Sequence, residues 1–130
     1  MSTLAIPLTC KTKFENGLLV VYDGINGEAS IAKKSHDPKV AGVTTDLDNA
    51  ELTLTDFEYN PHRLIAVSGR IECYVRGPIE YGDCIVTSNI EGVGQKLDND
   101  KFVPGCIVGK SLGTIKSSIT ELIEIVVTTS

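Results

Sequence analysis

Tryptophan is absent from the chain, aromatic residues make up only 5% of it, and the histidines number two. So few rings cannot tile a stacking platform for sugars. With His36 and His62 alone, histidine-based acid–base or metal chemistry has few carriers. None of the four cysteines, Cys10, Cys73, Cys84 and Cys106, stands in a C-x-x-C pair. That excludes zinc knuckles and thioredoxin-like sites, which need the short spacing. No apolar run approaches the ~18–20 residues of a membrane-spanning helix, and the N-terminus lacks the basic-then-apolar layout of a signal peptide. Positive charge is scarce too: the only basic cluster is Lys33-Lys34, in a chain of formal net charge −5. A nucleic-acid surface needs clustered Lys and Arg, so no nucleic-acid and no membrane partner is expected.

What remains is a 130-residue chain with 42% hydrophobic residues, 22% charged residues and twelve glycines. A chain of this length buries roughly two-thirds of the surface it exposes when unfolded, enough for one core without staples. The cysteines inside apolar runs read as reduced core thiols. A Cys73–Cys84 bridge across a hairpin is conceivable, but no secretory signal supports it.

The organising stretch is Leu64 to Ser88, LIAVSGRIECYVRGPIEYGDCIVTS. Ile71, Cys73 and Val75 alternate with Glu72, Tyr74 and Arg76, the period of a strand with one buried face. Pro78 cannot donate to a ladder, so the chain leaves the sheet there. Gly82-Asp83 turns it, and Cys84 to Ser88 returns as a strand. The loop from Gly77 to Asp83 serves either assembly or plain turn geometry.

Elsewhere the chain reads as short strands between turn dipeptides. Residues 1–16 read as an extended N-terminal arm, finishing as an edge strand over Thr9 to Phe14, and residues 17–130 as a single β domain. Asn16-Gly17, Asp23-Gly24 and Asn26-Gly27 are hairpin-type turns. They bracket strands at Leu18 to Tyr22 and Ala29 to Lys33. Pro38 breaks the chain before Lys39 to Thr44, and Glu51 to Thr55 alternates. Gly92 and Gly94 precede a polar loop, Leu97 to Lys101, and Phe102 and Val103 precede Pro104-Gly105. Cys106 to Lys110 and Leu122 to Thr128 complete the set, the last assigned as strand from its β-branched run. About nine short strands without a long helix predict an all-β sandwich or small barrel, β-tulip-like in shape.

Candidate chemistry is sparse. Ser35-His36-Asp37-Pro38 carries the residue types of a triad, but neighbours in sequence seldom face one another as a triad requires. A turn in which Ser35 bonds backbone explains the motif, and His62 follows Asn60-Pro61 in a second turn. Asp46 and Asp48 lack the glycine and distal glutamate of a calcium loop. Gly92-Val93-Gly94 lacks the strand-to-helix setting of a dinucleotide site. No catalytic residue, metal or cofactor is expected.

The ordered motifs carry a resemblance. VVYDG at Val20–Gly24, SHDPKVAGVTT at Ser35–Thr45, the Leu64–Ser88 stretch with its G-R and G-P-I-x-x-G-D elements, CIVGKSLG at Cys106–Gly113 and LIEIVV at Leu122–Val127 together resemble a β module of tailed-phage virion proteins. That module includes small capsid decoration, or cement, proteins and C-terminal tail-fibre-like domains. The resemblance implies a virion structural protein without enzymatic activity, assembled in the host cytoplasm. Its form would be a homotrimeric head decoration protein that binds the major capsid protein lattice, or a tail-fibre or baseplate accessory module. Because the chain begins at Met1 with no upstream shaft, the decoration protein is the expected form. An apolar arm can add a strand to an exposed edge on the capsid, multiplied by trimer avidity. Leu4, Ile6, Leu8 and Phe14 are then the candidate lattice contacts. The rival classes are an enzyme or processing protease using Ser35, His36 or His62, and a small-ligand-binding β barrel.

Overall fold

A computed structural model describes residues 3–10, 15–24, 27–46, 52–53 and 62–128. Its described residues form an all-β fold of ten strands: β1 (Leu4–Cys10), β2 (Leu19–Tyr22), β3 (Glu28–Ile31), β4 (Val40–Thr45), β5 (Leu52–Thr53), β6 (His62–Arg76), β7 (Cys84–Thr87), β8 (Gly94–Lys96), β9 (Ile107–Ser111) and β10 (Thr120–Val127). A single 3-10 turn, Asn99–Lys101, is capped by the Asp98 side chain, which accepts from the Asp100 N–H.

β6 is the spine. Its first half pairs antiparallel with β1 and β4, and its second half pairs antiparallel with β10 from Gly69 to Arg76. The change of partners falls at Gly69, whose φ of 103° is open to glycine and strained for other residues. One continuous strand therefore serves two half-sheets. β1 to β5 lie with its N-terminal half, and β7 to β10 with its C-terminal half.

The main core lies between these halves and draws on both: Leu19, Val43 and Ala66 from one, Cys73, Ile85, Val108 and Ile125 from the other. A smaller cluster of Leu8, Cys10, Val20, Ala29, Ala41 and Ile65 covers the opposite face of the first half. β4 is buried along its whole length because it feeds both clusters. Between Val20 and Val21 the register with β4 skips, from Gly42 to Val40. Ala41 is the extra residue of this bulge, and it lets Val40 and Val43 face the same core.

Residues 4–10, expected as part of an arm, form a strand of the domain itself. β1 pairs with β6 from Leu4↔Ser68 to Thr9↔His62. On its other side it pairs in parallel with β5 at Leu4 and Ala5, and with β3 at Thr9 and Cys10. Pro7 sits in the gap between those two partners, where a missing N–H breaks no ladder bond. The strand expected over Thr9 to Phe14 thus begins earlier, at Leu4, and residues 11–14 lie outside the described residues. β8, three residues opening on Gly94, is too short to carry a detectable sequence period.

The Gly77–Asp83 connection is part of the core. Ile79 and Ile115 exchange backbone hydrogen bonds of 2.9 Å and are both buried. The Gly77 N–H donates to Ile119 O at 2.9 Å, and the Gly82 N–H to Ser111 O at 2.8 Å. At Gly77 a Cβ would meet Ser117 O at 2.3 Å, so the close approach requires glycine. Turn geometry and core packing account for this loop.

Candidate functional site

The arm residues part company in the structure. Leu8 is buried at 7% exposure, within the smaller cluster. Ile6 packs half-buried against the same cluster, Leu4 is half-buried, and Phe14 lies outside the described residues. β1 has partners on both sides, so the open edge that strand addition needs is confined to the short stretch around Pro7.

Three exposed apolar side chains lie elsewhere, Tyr22 at the end of β2 and Phe102 and Val103 in the loop before β9. Tyr22 and Phe102 are each 49% exposed and Val103 is 39% exposed. The Tyr22 N–H donates to Lys39 O at 2.9 Å, next to exposed Pro38. Gly105 lies so close to Pro38 that a Cβ would meet its carbonyl at 2.5 Å. The Cys106 N–H donates to Val103 O, closing the same turn. These contacts place the Phe102–Pro104 loop beside the β2–β4 end.

Ser35 and His36 do touch, against expectation: Ser35 Oγ is 2.7 Å from His36 Nδ1. The other ring nitrogen, Nε2, accepts a hydrogen bond of 3.1 Å from the Asp98 N–H. Nε2 therefore carries no proton, and Nδ1 donates to Ser35. Ser35 Oγ also accepts from Gln95 Nε2 at 3.0 Å. Asp37 turns away, its carboxylate accepting from the Lys39 N–H at 2.9 Å. Thr87 completes the knot: its Oγ1 accepts from the Asp37 N–H at 2.8 Å and donates to Lys34 O at 2.7 Å. The buried imidazole ties the 34–37 turn to the segment after β8. His36 adopts φ 54°, a conformation histidine tolerates better than most residues. His62 begins β6, and its side chain is not among those described.

All four cysteines are free. Burial pushes the Cys73 thiol up to about 12. Burial also raises Cys10, partly countered by the Arg63 charge. Among the described residues no group of three His, Cys, Asp or Glu side chains is placed to hold a metal.

A cleft of about 430 Å³ opens where β4, β6 and β10 meet. Gly17, Tyr74 and Leu122 form one side; a Cβ on Gly17 would stand 3.1 Å from Leu122 and 3.3 Å from Tyr74. Glu15, Arg70, Glu72 and Glu124 bring charge to it, and Thr45 and Ile71 are buried in its wall. Arg70 is paired with Glu124 through Nε, at 3.0 Å, and Nη2. Next to it Asn16 Nδ2 donates to Asp46 at 2.7 Å, while Asn16 Oδ1 accepts from Arg63 at 2.8 Å. The sequence marks Glu72 as outward-facing by alternation. Nothing in it signals that Glu72 shares a cleft with Glu15, because strand pairing alone joins them.

No protein-family model and no curated protein matches this chain. A solved structure does: the head fiber gp8.5 N base in bacteriophage phi29, with a TM-score of 0.53 at 12% sequence identity. The match covers 96% of this chain and 93% of that one. The two share a fold. At this identity the likeness extends to backbone architecture and carries no residue's role across.

Proposed function

We propose that this chain is a structural protein of a phage head, a decoration protein that associates as a homotrimer and binds the major capsid protein lattice. The observation that supports the reading most is the shared fold, end to end, with a head-fibre base. The ordered sequence motifs point to virion modules independently. On this reading the protein works by holding neighbours in place, and its side chains supply contact area rather than a reacting group.

Two surfaces are available for that task. Leu4 and Ile6 remain as the accessible arm contacts, whereas Leu8 is already used by the domain's own core. Tyr22, at the end of β2, and Phe102 and Val103, in the loop before β9, offer a second apolar surface. The tail-fibre or baseplate role is the alternative, and it rests on the sequence resemblance alone.

The test is binding of the purified protein to heads that lack it, comparing wild type with Phe102→Ser/Val103→Ser and Leu4→Ser/Ile6→Ser. A large loss of head binding in either pair, with unchanged thermal stability, is the expected outcome. Wild-type protein that fails to bind heads but binds tails would refute the head assignment.

A further inference from the structure

The cleft between β4, β6 and β10 holds more hydrogen-bonding capacity than the chain itself uses. Arg70 is satisfied by Glu124, and Asp46 by Asn16. Three groups are left over. The carboxylates of Glu15 and Glu72 are exposed and make no hydrogen bond or ion pair with described residues. Thr45 Oγ1 is buried at 0% residue exposure and has no hydrogen-bond partner among the described residues. A buried hydroxyl without a partner costs about 1–3 kcal/mol, so the position gives up stability to keep it.

We propose that this cleft receives the ammonium group of a lysine side chain presented by a neighbouring polypeptide. An ammonium brings three donors and no acceptor, which matches the three idle groups. Glu15, Glu72 and Glu124 against Arg70 leave the lining acidic, so a cation is drawn in. The wall formed by Leu122 and Tyr74 suits the four-carbon stem of lysine, which lies along apolar surface while its head seeks polar partners. Thr45 lies in the wall of the cleft and is shielded from solvent, so contact with its hydroxyl requires the lining to open. A bare divalent ion fits poorly, because no three acidic, histidine or cysteine ligands converge among the described residues. Arginine would bring a planar fork suited to a carboxylate taken through both oxygens, and Glu124 already accepts from Arg70 through Oε1. The inference concerns the chemistry of one contact and stands whether the neighbour is a capsid protein, a tail protein or a second copy of this chain.

The experiment titrates the full-length protein with Nα-acetyl-lysine methylamide and follows its NMR resonances. Parallel titrations use the Nε-acetylated analogue and magnesium chloride. Saturable shifts at Glu15, Thr45, Glu72 and Tyr74 are expected with the charged probe, and none with the acetylated one. Glu72→Gln should weaken binding about tenfold, the loss of one charge-assisted hydrogen bond. Thr45→Val supplies the decisive second readout: it should raise the melting temperature by removing an unpaired buried hydroxyl, and weaken binding as well. Thr45→Ser should keep binding. The proposal fails if the lysine probe produces no shifts up to its solubility limit. It also fails if the acetylated probe or magnesium shifts the same residues equally, or if Thr45→Val lowers stability and leaves binding intact.

Discussion

At the scale of single residues, the side chains with chemical potential are mostly committed to structure. His36 is the clearest case. Its Nε2 accepts from the Asp98 N–H and its Nδ1 faces Ser35, so the ring should be the Nδ1–H tautomer, which heteronuclear NMR reads directly. His36→Asn keeps the backbone conformation accessible but cannot span to Asp98. It should cost about 1 kcal/mol, measured by urea unfolding, because the part-buried hydrogen bond from the Asp98 N–H is lost. Cys73 is buried with its thiol pushed up to about 12, above the usual value of 9.0. The unfolded chain loses this proton near pH 9, while the folded chain holds it to about pH 12. Its contribution is therefore complete below pH 9 and falls away as pH rises towards 12. Cys73→Val should flatten the alkaline arm of the stability curve, and a thiol-labelling time course should modify partly exposed Cys84 before Cys73.

At the scale of elements, β6 and β4 make the two halves one body. Gly42 on β4 lies so close to β6 that a Cβ would stand 2.1 Å from Ala66 O. Gly42→Ala should cost about 3 kcal/mol by overpacking against backbone that cannot yield, seen as a lower urea midpoint. β1 should behave as part of this body as well. Deleting residues 1–13 removes its pairing with β6 and should abolish cooperative unfolding in calorimetry, beyond any effect on binding. These elements also show what the sequence could reveal. The alternation of Ile71, Cys73 and Val75 marked half of β6, and Pro78 marked its end. Its full length to His62 was hidden, because both faces of residues 64–67 are apolar and the period vanishes. β1 looked like an arm because Pro7 interrupts it, and only the gap between β5 and β3 explains how a strand accommodates that proline. The Ser35–His36 contact was legible as a motif, but its meaning depends on Asp98, sixty-two positions away. The acidic cleft had no sequence signal, since Glu15, Thr45 and Glu72 meet through tertiary pairing alone.

At the scale of the whole molecule, the described residues form a sheet bent around one spine strand, with cores on either side of its first half. Its surface offers an apolar end and an acidic cleft, both suited to holding other chains. That distribution agrees with the proposed structural role. Trimer formation belongs to this scale: sedimentation at micromolar concentration should give three times the monomer mass of 13.9 kDa. The most direct test of the central claim is electron cryomicroscopy of the intact particle, with the protein labelled at its C-terminus. Label density in trimers at regular positions on the head surface is the predicted result. Density confined to the tail, or no label on purified particles, would contradict it.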